Sequence, residues 1–234
     1  MIYVNLRDFS DDLNKVKLYK LSDYLHIHNL LTVPAVIVEA ENIASQFPLV
    51  WQRVGDEMVF VALMGLEPGD NQFLKNECET DTVPFLALKA YPFVAGRLKK
   101  NGSESSMLID DAPVKASIMQ DSRCQPQSKR DEEISRRLAA ARIFAHSKPH
   151  TDAISQRLVE ADVLQPWRFG LQFKNRAISI EGLYILNRNP QVRYSRIKQV
   201  LQEIGHDAIR IAELHELSLF RMQQLSIRHA EIIA

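Results

Sequence analysis

The densest apolar pattern in the chain runs from Val33 to Leu66. Val36, Ala40, Ile43, Ala44 and Phe47 recur at i, i+4, i+7, i+8 and i+11, a spacing that puts them on one face of a helix. Pro34 suits the first turn of such a helix, where its missing N–H would have no partner anyway, and Pro48 stops it. The pattern therefore predicts a helix from Thr32 to Phe47. The period then changes. Leu49 to Val54 and Glu57 to Met64 are rich in Val, Leu, Phe and Trp, and Gly55-Asp56 between them marks a β-hairpin. Val59 to Met64 is apolar without alternation, which predicts a strand covered on both faces.

Elsewhere the pattern is weaker. Val16, Leu18 and Leu21 read as an early strand, Tyr24 to His28 as another short element, and Gln72 to Leu74 as an extended piece. Pro84 opens and Pro92 closes a short helix, and Ser106 to Asp110 is a strand. Gln120 to Arg130 is polar and reads as a linker or loop. After Asp131 helices dominate. Ile134, Leu138, Ala141 and Ala145 share one face, and a second helix starts near Thr151-Asp152 with Ile154, Leu158 and Val159 inward. Trp167 to Lys174 and Arg176 to Leu186 form a hairpin turning at Asn175. Its inward positions are Ile178, Ile180 and Leu183. Arg193 to Ile204 is a helix with Ile197, Val200, Leu201 and Ile204 on one side and Gly205 just past its end. A last helix runs from Asp207 onward, with Ile211, Leu214, Met222 and Leu225 on its apolar side. These elements predict an α+β fold: a mostly antiparallel sheet packed with helices and a helix-rich C-terminal half. The expected organisation is a single domain over residues 1–234. It sub-divides into a mixed sheet and helix half, 1–119, and a helix-rich half with a hairpin, 131–234.

Composition narrows the function classes. Lys plus Arg and Asp plus Glu both number 29, so no bulk field draws in nucleic acid or an acidic membrane, and no nucleic-acid partner is expected. Charges occupy the opening residues, where a signal peptide needs an apolar run, and no stretch is long and apolar enough to span a membrane. The two cysteines, Cys78 and Cys124, form no CxxC pair or ligand cluster, which suits a reducing compartment. The expected location is cytoplasmic.

Several segments taken in order resemble the SapC family of bacterial proteins. They are Val33-Pro34 with Glu39, Phe47 to Trp51, Val61 to Leu66, Asn71 to Phe73, Val83-Pro84 and Ala90 to Val94. Leu158 to Leu164, Glu181 to Tyr184 and Leu214 to Leu225 extend the match toward the end. The sequence departs from the family pattern at Lys75 to Asp81, which lacks a Gly-x-Trp, at Lys89-Ala90, where relatives often have two arginines, and at Gln120 to Arg130. The resemblance implies no agreed catalytic residues. It implies a setting in surface-layer or TonB-dependent nutrient-uptake loci, beside flavin-dependent halogenase-like and cupin-like proteins. The peptide-transport permease of the same name is excluded, because this chain has no membrane span.

Candidate chemistry is sparse. His26-x-His28 would share one face of a strand, but no carboxylate or cysteine accompanies the pair, so no metal site is expected. His146 and His150 flank Lys148-Pro149, a predicted turn. Cys78 lies among Glu77, Glu79 and Asp81, which oppose thiolate formation, and Cys124 beside Arg123 reads as a bystander thiol. Asp110-Asp111 ends a strand and reads as a solvated turn, with a metal or sugar contact as the alternative. No phosphate loop, dinucleotide fingerprint or nucleophile elbow is present, and no cofactor is expected. Glu39 and Glu41 are two apart and do not pair on a helix. Glu39 matches the family's acidic position and suits capping a backbone group or binding a ligand. Trp51 and Tyr91, with Phe93 and Trp167, fill core or line a pocket. The ligand-binding expectation is a pocket near Glu39, Trp51, Asn71 and Tyr91, with no catalytic residue assigned. Three functional readings stand open. The first is a non-catalytic binding or accessory protein that engages a protein partner or small ligand. The second is an enzyme or enzyme subunit acting on a small molecule. The third is a self-assembling structural protein, with Leu214, Met222 and Leu225 as a homodimer face.

Overall fold

The computed structural model describes residues 2–9, 16–75, 85–96, 107–115, 127–173 and 176–232. In chain order its strands are β1 (Leu6–Asp8), β2 (Thr32–Pro34), β3 (Leu49–Val54), β4 (Glu57–Leu63), β5 (Phe93–Ala95), β6 (Met107–Asp110), β7 (Leu164–Pro166), β8 (Phe169–Phe173), β9 (Arg176–Ile180) and β10 (Leu183–Leu186). Its α-helices are α1 (Ala40–Ala44), α2 (Gln72–Lys75), α3 (Leu86–Ala90), α4 (Gln127–Glu160), α5 (Pro190–Ile204), α6 (His206–Ser218) and α7 (Arg221–Ile232). The class is α+β, as the apolar periods predict. Antiparallel sheets are packed with helices, and the longest helix lies in the C-terminal half.

The predicted hairpin at Gly55-Asp56 forms with β3 and β4 in register from Leu49↔Ala62 to Val54↔Glu57. It is the centre of a five-stranded sheet ordered β2-β4-β3-β10-β7. Successive β4 side chains enter different cores. Phe60 and Ala62 join the main cluster with Trp51, Ile154, Leu158, Val200 and Ile211. Val61 and Leu63 join a second cluster with Val50, Ile178, Ile180, Leu183, Ile185 and Leu225. Both faces are therefore covered, which is why β4 reads as an unbroken apolar run. A three-stranded sheet, β1-β6-β5, packs with Ile134, Ala140 and Ala141 of α4 in a third cluster. Hairpin β8-β9 is a separate two-stranded sheet.

Several sequence expectations are corrected. The helix expected over Thr32–Phe47 is only Ala40–Ala44, and Thr32–Pro34 pairs with β4 as strand β2. Pairing with an apolar central strand overrides the helical period here. Pro34 tolerates it because β2 is an edge strand. No strand spans Val16 to Leu21; Leu21–Asp23 is a 3-10 turn closed by Asp23, whose carboxylate accepts from Lys20 N at 2.9 Å. Leu25–Asn29 is a second 3-10 turn, so His26 and His28 do not share a strand face. Their Nε2 atoms meet different carbonyls, Ile2 O at 2.7 Å and Ser22 O at 2.8 Å. Gln72 to Leu74 is helical rather than extended, because Asn71 Oδ1 caps the amides of Phe73 and Leu74.

The turn expected at Lys148-Pro149 is also absent. α4 runs unbroken through Pro149 from Gln127 to Glu160, so His146 and His150 lie one turn apart on a helix. Pro149 is exposed, which lets water satisfy the carbonyl that its missing N–H abandons. Lys148–Asp152 (2.6 Å) and Thr151 Oγ1, which donates to Ser147 O, reinforce the same turn. Residues 127–130 of the expected linker are the first turn of this helix; its residues 120–126 lie outside the described residues. Cys78, Cys124 and the Asn175 turn also lie outside them. The second arm of the predicted hairpin divides at Glu181-Gly182 into β9 and β10, and β10 joins the five-stranded sheet. The last helix divides into α6 and α7, since Ser218 turns its hydroxyl into the sheet and accepts Leu49 N at 2.8 Å. Leu225 of the expected dimer face is buried, and Met222 and Leu214 pack against the two largest clusters.

Gly65 closes the tight return after β4. A Cβ on it would lie 2.3 Å from the backbone oxygen of Asp70. Gly65→Ala is expected to lose about 1–3 kcal/mol by forcing this turn apart. Chemical denaturation at constant m-value reads the loss, and an unchanged midpoint would show that the turn yields freely.

Candidate functional site

The sequence-predicted ligand residues are all deeply buried, at 4% or less exposure: Glu39, Trp51, Asn71 and Tyr91. Glu39 precedes α1 and bridges two segments. Its Oε1 accepts Val36 N at 3.1 Å and its Oε2 accepts Leu86 N at the start of α3. Burial pushes its carboxyl up to about 7, against the opposing pull of those amides and Lys89. Trp51 Nε1–H donates to Ser155 Oγ at 3.1 Å, tying β3 to α4. Asn71 Nδ2 donates to Ile27 O at 2.8 Å while its oxygen caps α2. Tyr91 donates its hydroxyl to Asp110 Oδ2 at 2.8 Å. Burial first, then Asp110, holds that phenol well above the ordinary tyrosine range. Among the described residues none of these side chains hydrogen bonds another.

Of the other buried polar groups, the sequence singles out only Asp110 as candidate chemistry. Asp110, expected in a solvated turn, is 4% exposed and also accepts Val4 N and Asn5 N, at 3.0 and 2.7 Å. Arg137 reaches from α4 to Tyr91 O at 2.7 Å and Tyr19 O at 3.2 Å, with Glu133 on its Nε. His229 of α7 meets Asp70 Oδ2 at 2.5 Å, and Gln72 Nε2 donates to the other oxygen of that carboxylate. His215 of α6 lies between β3 and β10. Its Nδ1–H donates to Leu49 O at 2.6 Å and its Nε2 accepts Leu186 N at 3.3 Å. These bonds fix the tautomer, and burial pushes the imidazole down to about 4. Asp110 is legible in principle as an acid closing an apolar strand. His215 sits among apolar residues of a helix, where periodicity treats it as a lapse.

The surface offers a different kind of feature. A cavity of about 430 Å³ opens where the hairpin β8-β9 leaves the five-stranded sheet. Pro166 ends β7 and Gly182, at φ 75°, turns β9 into β10, so two crossings flank the opening. Its lining includes Trp167, Arg168, Phe169, Glu181 and Tyr184. The Trp167 and Phe169 rings are 4.9 Å apart and tilted by 48°. The Arg53 guanidinium lies 5.3 Å over the Tyr184 ring. Register Phe169↔Ile180 places Arg168 and Glu181 opposite each other at the base of the hairpin, both exposed. Trp167 N donates to Leu183 O at 2.8 Å and Arg53 N to Gly182 O at 3.0 Å, which fix the crossings on the sheet. Such a wall suits flat or apolar groups, with one charge of each sign at its rim. Trp167, one of the four aromatic residues read from the sequence as core or pocket wall, lines it, whereas Glu39, Trp51, Asn71, Tyr91 and Phe93 do not.

Among the described residues no three His, Cys, Asp or Glu side chains converge as a metal ion requires. No helix among them is long and apolar enough to cross a membrane. No curated protein and no solved structure matches the chain significantly. A family model does match, that of SapC, over residues 10–225, nearly the whole length. The chain belongs to the SapC family.

Proposed function

We propose that this protein is a non-catalytic binding module that engages a protein partner through the groove beside Trp167. The observation that carries the reading is a division of labour among side chains. Glu39, Trp51, Asn71, Tyr91, Asp110 and His215 are turned inward and hold backbone amides, carbonyls or other side chains of the fold. The open groove instead presents Trp167, Phe169 and Tyr184, with Arg168 and Glu181 at its rim. Aromatic side chains beside an arginine are the residue types that dominate binding energy at protein interfaces. The setting implied by the family, surface-layer or nutrient-uptake loci, suits an accessory role of this kind.

The competing enzyme reading is supported by Glu39, whose raised carboxyl resembles a general acid or base. Its two oxygens are occupied by Val36 N and Leu86 N, which favours a structural use.

Affinity purification of the tagged protein from its own cells at native levels tests the proposal, with Arg168→Glu/Phe169→Ala run in parallel. Wild type is expected to retain a near-stoichiometric protein, and the double variant to lose at least about tenfold of it. A co-purifying small molecule without a protein partner, or a partner indifferent to the double variant, overturns the reading.

A further inference from the structure

Strand β8, which starts at the rim of the groove, has an edge unlike the other strand edges among the described residues. The three-stranded sheet is bounded by β1 and β5 and the five-stranded sheet by β2 and β7, each three residues long. β1 carries Arg7 and Asp8, β2 ends in Pro34, β7 ends in Pro166, and β5 directly follows Pro92. β9, one edge of the hairpin, begins at Arg176. Short length, charge and proline are the devices that keep strand edges from pairing with other chains. β8 has none of them. It is five residues, Phe-Gly-Leu-Gln-Phe, without a charge or a proline. Among the described residues it pairs with β9 alone, from Phe169↔Ile180 to Phe173↔Arg176. In such a ladder alternate residues turn N–H and C=O away from the paired strand, so the far side of β8 offers a row of open backbone groups.

Two observations say what kind of chain suits this edge. Gly170 is exposed, and nothing within the fold requires a glycine there. Its φ lies outside the left-handed region, and a Cβ on it would meet nothing nearer than Ile178 O at 4.0 Å. A glycine inside a strand weakens it and marks places where another backbone approaches closely. The second observation is charge. In sequence β8 is bounded by Arg168 and Lys174. Arg168 is exposed and has no ion-pair partner among the described residues. A strand laid along β8 therefore ends beside a cation in either direction, which suits carboxylates. A second copy of this chain does not fit. Two β8 strands in full antiparallel overlap set Arg168 of one against Lys174 of the other, and like charges placed opposite repel.

We propose that β8 is a strand-addition site for an extended segment of a protein partner. The segment has about five uncharged residues, rich in β-branched or aromatic side chains, with Asp or Glu at both ends. This rests on the reading that the groove engages a protein partner, since Phe169 and Gly170 belong to both surfaces, and it states how the partner's chain lies there.

The probe is a fluorescein-labelled peptide, Glu-Val-Thr-Val-Thr-Val-Glu, titrated by anisotropy against the whole protein. It is expected to bind at least about tenfold more tightly than its Lys-flanked counterpart, and Arg168→Glu should erase that preference. Two further peptides carry N-methyl groups, one on the valine amides and the other on the threonine amides. Only one of these two sets can face β8, so one isomer should bind as the parent does and the other lose at least about tenfold. Equal affinity of the Glu-flanked and Lys-flanked peptides overturns the proposal. So do methylated isomers that bind alike, a preference that survives Arg168→Glu, and a Glu-flanked peptide that does not bind. A mass that doubles with concentration while peptide binding is lost would assign the edge to a second copy and overturn the partner assignment. The two readings fail distinguishably. A cellular partner lost on Arg168→Glu/Phe169→Ala, together with isomers that bind alike, overturns strand addition alone. A cellular partner indifferent to that double variant overturns the groove reading and this inference with it.

Discussion

His215→Ala is expected to cost about 4 kcal/mol of stability at pH 7, since it strands two buried backbone groups and empties an aromatic volume. That corresponds to a fall in melting temperature of roughly 10 °C for a chain of this size. The register explains the size of the effect. Leu183 pairs with Gln52 and Tyr184 with Trp51, so Leu186 stands opposite Leu49. There the strands do not bond directly. The imidazole of α6 supplies the rung, donating to Leu49 O and accepting Leu186 N. Ser218, three residues along α6, takes Leu49 N. The sheet is therefore completed by a helix, and the ring also packs 4.9 Å from Trp51. The pH dependence follows. Burial lowers the folded imidazole from 6.5 to about 4, so its contribution is fully present above pH 6.5 and is lost as pH falls toward 4. The wild-type melting temperature should fall across that window. His215→Ala should show a shallower slope, and equal slopes in the two proteins would refute the assignment.

Glu39→Ala is expected to lose about 3 kcal/mol, because the amides of Val36 and Leu86 lose their acceptor at a buried site. Its pH dependence has the opposite sign. The folded carboxyl lies at about 7 against an ordinary 4.5, so the folded state holds the proton more tightly than the unfolded chain. Stability from this group is fully present below pH 4.5 and declines as pH rises toward 7. The deficit of Glu39→Ala relative to wild type should therefore be largest near pH 4.5 and shrink toward pH 8. Denaturant titrations of both proteins at several pH values measure it. A deficit that grows with pH would mean that the amides hold the ionised form, contrary to the burial argument.

What the sequence makes legible is what a local period can encode. Leu49 to Leu63 announces its strands, its turn and its double covering, because one apolar run and one Gly-Asp pair suffice. Arg193 to Ile204 does the same for α5. Val33 to Phe47 misleads because its helical spacing is real, but Thr32–Pro34 has a better partner distant in sequence, β4. Pro149 misleads for the converse reason: a proline on an exposed helical face is tolerated when the turn around it is otherwise bonded. Glu39, Trp51, Asn71 and Tyr91 attract notice as polar or aromatic residues in apolar surroundings, and each proves to hold an internal partner. A sequence cannot separate a ligand-facing carboxylate from one that faces an amide brought near by folding. The groove lies at the junction of two sheets, and its walls come from both sides of a crossing that the hairpin pattern draws as one continuous strand.

The course of α4 has a consequence for how the molecule can be divided. Its early residues, Ile134 to Ala141, pack with the small sheet, and its later ones, Ile154 and Leu158, pack with the large one. The two sheets share no strand. The seam between the two packing units therefore passes through the middle of a helix, between Ala141 and Phe144, and not through a tether between elements. Severing the chain at that seam would break a continuous rod about 50 Å long, since helices rise 1.5 Å per residue. The two sheets are joined as girders on a common spar, so neither can be shifted without carrying part of the other's floor with it.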